Sequence, residues 1–110
     1  MAIIMTESDW KIFKQIKAKA IELFCTRALA EFEEIIKNEN DNVHNRYLLL
    51  CKIIQNRDET MQLLFDGHSR SRAFLQLIAI RGEGLADETL LGKLSADTLQ
   101  GTDPKLLRRS

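Results

Sequence analysis

The apolar residues in the first third of the chain recur at alternating intervals of three and four positions. This repeat predicts one unbroken helix over residues 8–37, and it is carried by Ala18, Ile21, Cys25, Ala28, Phe32 and Ile35. A helix of about thirty residues is about 45 Å long. Two shorter helices, or a second copy of the chain, must therefore cover its apolar stripe. Thr6 is predicted to cap this helix, with Asp9 reaching back to the cap.

A second helix is predicted to begin after Asn42, a capping residue, and to end before Gly67. Its apolar stripe consists of Val43, Tyr47, Leu50, Ile54, Met61 and Phe65. The same period places Asp58 on the stripe, and an unpaired buried carboxylate is costly. We therefore expect either a break near Asn56 and Arg57, or a carboxylate partly buried against an arginine.

A third helix is predicted to open at Ser69 or Ser71 and to end at Gly82 and Gly84. Residues 73–80 are apolar at every position except one, so this helix is expected at the centre of the fold. Two short helices over residues 86–94 and 95–100 should fold four leucines back onto the core. These leucines are Leu90, Leu91, Leu94 and Leu99.

The predicted fold is all-α, an antiparallel helical bundle of three main helices, with one long N-terminal helix, plus short C-terminal helices. A single helical domain is expected over residues 1–101. Residues 102–110 have little to bury and are predicted to form a mobile C-terminal tail.

The charge balance argues against general binding to nucleic acid or to anionic membranes. The 110 residues include 16 basic and 16 acidic side chains, which cancel, whereas such binders carry surplus Lys and Arg. No apolar run approaches the roughly 18 residues of a membrane span, and residues 1–5 are too short for a signal-peptide core. We expect a cytoplasmic protein that does not bind membranes.

Cys25 and Cys51 both lie in apolar helical stretches. We interpret them as reduced, buried thiols, because a disulfide needs an oxidising compartment. Neither their spacing nor the two distant histidines resembles a metal site. The sequence therefore predicts no bound metal and no cofactor.

Charge is segregated along the first predicted helix, with lysines in one half and glutamates in the other. An antiparallel copy crossing at its centre would set Lys17 opposite Glu31 and Lys14 near Glu34. This arrangement predicts a homodimer, and the alternative is a solvated face. The candidate dimer seam consists of Lys14, Lys17, Ile21, Phe24, Ala28, Glu31 and Glu34.

The turn into the third helix gathers hydroxyl groups and cations at a helix N-terminus, a place that suits an anion. The residues are His68, Ser69, Arg70, Ser71 and Arg72. A small nucleic-acid-binding regulator using Arg70 and Arg72 is the alternative function. Nucleic acid is disfavoured, because a recognition helix must expose a polar face and residues 73–80 offer almost none. A plain capped turn is the remaining interpretation.

Asp58 and Gln76 interrupt apolar stripes, so they could form a buried polar network with an arginine. Such a network would fix the packing or line a small polar pocket. His44, Tyr47 and Cys51 share one helix face. However, the imidazole and thiol are two turns apart, about 10 Å along the axis, which is too far for activation of a nucleophile.

The sequence contains no Gly-rich phosphate loop, serine elbow or histidine ligand pair. We therefore expect no enzyme. The leading hypothesis is a small helical interaction or scaffold protein that forms a homodimer and could bind a further, unidentified protein.

Overall fold

The computed structural model describes residues 4–108, and no strand occurs in that part of the chain. The predicted all-α bundle, with one long N-terminal helix, is confirmed. In chain order the elements are α1 (Glu7–Lys37), α2 (Val43–Phe65), α3 (Arg70–Gly82), α4 (Glu88–Leu91), α5 (Ala96–Gly101) and a 3₁₀ turn (Pro104–Arg108).

The two long helices begin at the predicted caps. The Thr6 hydroxyl accepts a hydrogen bond from the backbone N–H of Asp9 at 3.2 Å, and the Asn42 side chain accepts one from the N–H of Asn45 at 2.7 Å. Each cap satisfies a helix N–H that would otherwise lack a partner. These starts are local properties of the sequence, and the structure confirms them.

Helix α2 runs without a break, so the predicted interruption near Asn56 and Arg57 is wrong. The alternative, a partly buried Asp58, is also wrong. Asp58 is exposed and accepts a hydrogen bond from the Gln62 side chain at 3.3 Å. Its charge interrupts the stripe at little cost because no other element within residues 4–108 covers that side of α2.

Helix α3 ends in a Schellman motif. Gly84 has a φ of 69°, its N–H donates to Arg81 O, and the Leu85 N–H donates to Ile80 O. Leu85 is buried, as expected of the apolar contact in this motif. The helix is central, although it is not buried all round, since Leu75 is mostly exposed.

The C-terminal segment folds onto α1 and α3. The first short helix is a single turn, α4, shorter than predicted, whereas α5 lies within one residue of its predicted limits. The predicted tail is wrong for Thr102, which is fully buried. Its hydroxyl donates to Thr98 O at 2.7 Å and accepts from the Arg81 guanidinium at 2.8 Å. Residues 109 and 110 of that tail lie outside the described residues.

A buried carboxylate fastens α5 to the start of α1. Asp9 reaches back to the Thr6 cap of its own helix as predicted, but most of its hydrogen bonds go to the C-terminal segment. Its oxygens accept hydrogen bonds from the Ser95 N–H at 3.0 Å, the Ser95 hydroxyl at 2.6 Å and the Thr98 hydroxyl at 2.6 Å. Burial raises the pKa of Asp9, but these hydrogen bonds, with one from Thr6, bring it below its ordinary value.

The hydrophobic core lies at one end of the molecule. None of the residues from 29 to 63 is buried, although they include the second part of α1 and most of α2. We call residues 29–63 the arm and the rest of the described chain the base. The radius of gyration is 17.0 Å, against about 13 Å for a compact domain of this size. The arm therefore projects from the base as a two-helix hairpin.

Candidate interaction surface

Polar and aromatic contacts hold the two helices of the arm together. Close to the base the Arg57 guanidinium donates to both carboxylate oxygens of Glu31, at 2.7 and 2.9 Å. At its root the rings of Phe24 and Phe65 pack edge to face, with centroids 6.0 Å apart. These contacts confirm the antiparallel pairing of the first two helices.

Most residues of the charged dimer seam predicted on α1 contact other parts of the same chain, so the seam stays a prediction without further support. Lys17 is buried, and its ammonium group donates to Gly67 O at 2.7 Å. Glu31 is occupied by Arg57, while Phe24 packs on Phe65. Ala28 is buried and Ile21 half-buried, and only Lys14 and Glu34 remain exposed. An antiparallel copy that paired with Lys17 would have to displace its hydrogen bond to Gly67 O.

Lys17 instead binds the turn between α2 and α3. Burial lowers the pKa of Lys17, and the nearby Asp66 carboxylate opposes that change. The Gln76 amide donates to Asp66 O at 2.6 Å and to Gly67 O at 3.1 Å. Two side chains therefore satisfy backbone carbonyls of the turn that follows α2.

The predicted network between Asp58 and Gln76 is also wrong, because the two side chains lie in different parts of the molecule. Gln76 is buried against the turn at residues 66 and 67, whereas Asp58 is exposed on the arm.

The predicted anion site is dispersed around the start of α3. Arg70 forms an ion pair with Glu7, and the His68 ring lies against Trp10 with centroids 5.0 Å apart. Two of the five candidate side chains therefore have partners at the start of α1. The predicted use of Arg70 to contact phosphates would require breaking its ion pair.

The other three side chains of the predicted anion site do not meet around one point either. The Ser69 side chain makes no helix-capping hydrogen bond, and its hydroxyl lies 3.2 Å from that of Ser71. The Arg72 guanidinium lies beside Gly67. These side chains do not enclose a common space, so anion binding here stays a prediction without a further supporting observation.

Both cysteines are free thiols, but their predicted burial is wrong. Cys25 is half-buried and Cys51 exposed. His44 and Tyr47 are exposed on the same helix as Cys51. Within residues 4–108, no three His, Cys, Asp or Glu side chains form a group that could hold a metal ion.

One side of the arm carries an uncovered apolar surface. Residues of both helices line one groove there, Leu29 and Phe32 from α1 and Cys51 and Ile54 from α2, and helical periodicity extends each stripe along its own helix. We call this surface the open face, and it consists of Leu29, Phe32 and Ile36 on α1 and Val43, Tyr47, Cys51 and Ile54 on α2. The largest exposed fractions are 65% for Leu29, 55% for Ile36, 74% for Val43, 64% for Tyr47 and 44% for Ile54.

A groove of about 510 Å³ runs between the two helices on the open face. Leu29 and Phe32 line it from α1, and Cys51, Ile54 and Met61 line it from α2. Its only charged lining groups are Arg57 and Asp58, and Arg57 is paired with Glu31 on the other side of the helix. The groove is therefore an apolar channel between two parallel ridges.

The α2 stripe is visible in the sequence, but its exposure was not predicted. The feature of the sequence that could have indicated this exposure is the unequal length of the helices. The 13 residues of α3 span about 20 Å, whereas the 31 residues of α1 span about 46 Å at 1.5 Å per residue. A third helix of about 20 Å can cover only the base, so the arm is left open.

No helix in the described chain combines the length and hydrophobicity needed to cross a membrane. No protein-family model, curated protein or solved structure matches this chain.

Proposed function

We propose that the protein is a non-enzymatic interaction module that binds helical protein surfaces, including its own, through the open face. One observation carries the proposal, namely the uncovered apolar face along the arm. The largest contiguous apolar patch on a typical monomeric soluble protein is about 300–600 Å² and is often functional, and the open face is a patch of this kind. The ridged surface with a central groove suits partner helices, which pack ridges into grooves.

The arrangement of chemical groups supports recognition over catalysis. The His44 imidazole, Cys51 thiol and Asp58 carboxylate are all exposed on α2. The buried Asp9 carboxylate is fully engaged in fastening α5 to α1. None of these groups is paired with a second catalytic group in a cleft, which is the usual arrangement of a general acid or nucleophile.

As part of this proposal we place the protein in the cytoplasm. Cys25 and Cys51 are free thiols in the structure. Such thiols persist in compartments where reductants keep them unpaired.

Site-specific photo-crosslinking in cells tests the proposed function. A photoreactive amino acid replaces Tyr47, on the open face, or Leu63, which is 83% exposed and outside the groove lining. The proposal predicts protein adducts from position 47 and few from position 63. Equal adduct yields at the two positions, or none at position 47, would overturn it.

A further inference from the structure

We propose that a second copy of this chain occupies the open face, so that two arms pack face to face as a four-helix layer. The inference rests on the proposed function and names its partner. Each arm would present the same surface to the other across a two-fold axis, as in most homodimers.

The area of the open face meets the lower limit of a specific dimer interface. A large side chain exposes roughly 150–250 Å² when free. The five largest exposed fractions then correspond to on the order of 600 Å² per copy, or on the order of 1,200 Å² for two copies. Specific interfaces bury about 1,200–2,000 Å² in total.

The width of the open face favours a pair of helices over a single one. Exposed side chains stand on both helices, with Leu29 and Ile36 on α1 and Val43 and Tyr47 on α2. One helix, about 10 Å wide with its side chains, would fill the groove and leave the outer sides of both stripes in water. A second arm is a helix pair of matching length and spacing, so it covers both stripes together.

The charges of the open face permit self-association. Arg57 is neutralised by Glu31 in the same chain. Asp58 is the one remaining charged group that lines the groove, and it is exposed. Two copies therefore meet across an apolar surface with few like charges, and their association should withstand salt.

The test measures the mass of the purified full chain by light scattering over a range of concentrations, at low salt and near 1 M salt. The inference predicts a dimer at both salt concentrations. Leu29→Glu and Ile54→Glu should each raise the dimer Kd by about 30-fold or more, the size expected for loss of a central apolar contact. Leu63→Glu, an exposed position away from the groove, should leave the Kd unchanged.

A circular dichroism spectrum establishes that each variant is folded, which is expected because the substituted side chains are exposed. As a second measurement, alkylation of Cys51 should slow as the protein concentration rises, since Cys51 lies on the covered face.

A monomer at every concentration would overturn the inference, as would a dimer that Leu63→Glu weakens as much as Ile54→Glu does. If a monomeric chain still gives adducts with other proteins from position 47, the proposed function stands and only the second copy is excluded. If it gives no such adducts, both fail.

Discussion

At the scale of single residues, buried polar groups hold the base together, and two of them bind partners far away in the sequence. Asp9 contacts residues 86 and 89 positions away, and Lys17 contacts a carbonyl 50 positions away. The sequence marks both side chains as charged but does not say that the fold buries them. Their partners exist only once α3 and α5 have packed against α1.

Replacing Asp9 with Asn should destabilise the base. An amide retains one acceptor oxygen but carries no charge, and hydrogen bonds to a charged group contribute about 1.5–3 kcal/mol each. We expect the free energy of unfolding at pH 7 to fall by about 2–3 kcal/mol, measured by urea denaturation at one fixed protein concentration. Asp97→Asn, an exposed change in the first turn of α5, is the matched control and should cost less than about 1 kcal/mol.

The difference between wild type and Asp9→Asn should depend on pH. The pKa of Asp9 is lower in the folded protein than its ordinary value of 3.8. The contribution of the charged carboxylate to the free energy of unfolding is therefore complete above the ordinary pKa. It is lost as the pH falls through the lowered folded pKa. The difference in stability between the two proteins should therefore shrink in acid below about pH 4. A difference that stays constant into strong acid would contradict this role.

At the scale of elements, helix ends depend on local chemistry, which is why most of them could be predicted. Thr6, Asn42 and Ser95 cap helices as expected, and Gly84 ends α3. The exception is the predicted first short helix, of which only Glu88–Leu91 is helical. The Asp87 side chain accepts from the Leu90 N–H and starts the helix there.

The two glycines at the end of α3 should respond in opposite directions to substitution by alanine. Gly84 has a φ of 69° with open space around it, so Gly84→Ala carries only backbone strain, about 1–2 kcal/mol. Gly82 is helical, and an added Cβ would meet Pro104 at 3.8 Å, an ordinary contact. Gly82→Ala should gain about 0.4–1 kcal/mol. Urea midpoints that move in the same direction would show that the Schellman motif is not what ends the helix.

At the scale of the whole molecule, stability should be divided between the base and the arm. The base holds all the buried core residues, whereas nothing from 29 to 63 is buried. Regions with few buried contacts open locally at low free-energy cost. The arm is therefore the part of the molecule that gains most from a partner.

Amide hydrogen exchange should reveal this division. Peptides from the arm should exchange faster than those from α3 and the first half of α1 in a dilute sample. Raising the protein concentration should slow exchange in the arm and leave the base unchanged, because association covers only the open face. Ile54→Glu should abolish the concentration effect, with Leu63→Glu as its control. Concentration-dependent protection of the base instead would place the contact elsewhere.

The apolar stripes of both long helices were visible in the sequence, but the side chains that cover them were not. On α1 the stripe predicted to face a second copy instead meets α2 and the turn at Gly67. On α2 the stripe predicted to be buried is exposed at Val43, Tyr47 and Ile54. A periodic pattern shows which side of a helix is apolar, but it does not show which part of the molecule covers that side.

The sequence by itself determined the fold class, the number of main helices and most of their ends, because period, caps and glycines act over a few residues. Tertiary structure decided which charges are buried, which side of α1 meets its own chain and that a two-helix arm is left uncovered. Those outcomes depend on where helices of unequal length cross. Local patterns do not encode that geometry, since it is set by packing between residues far apart in the chain.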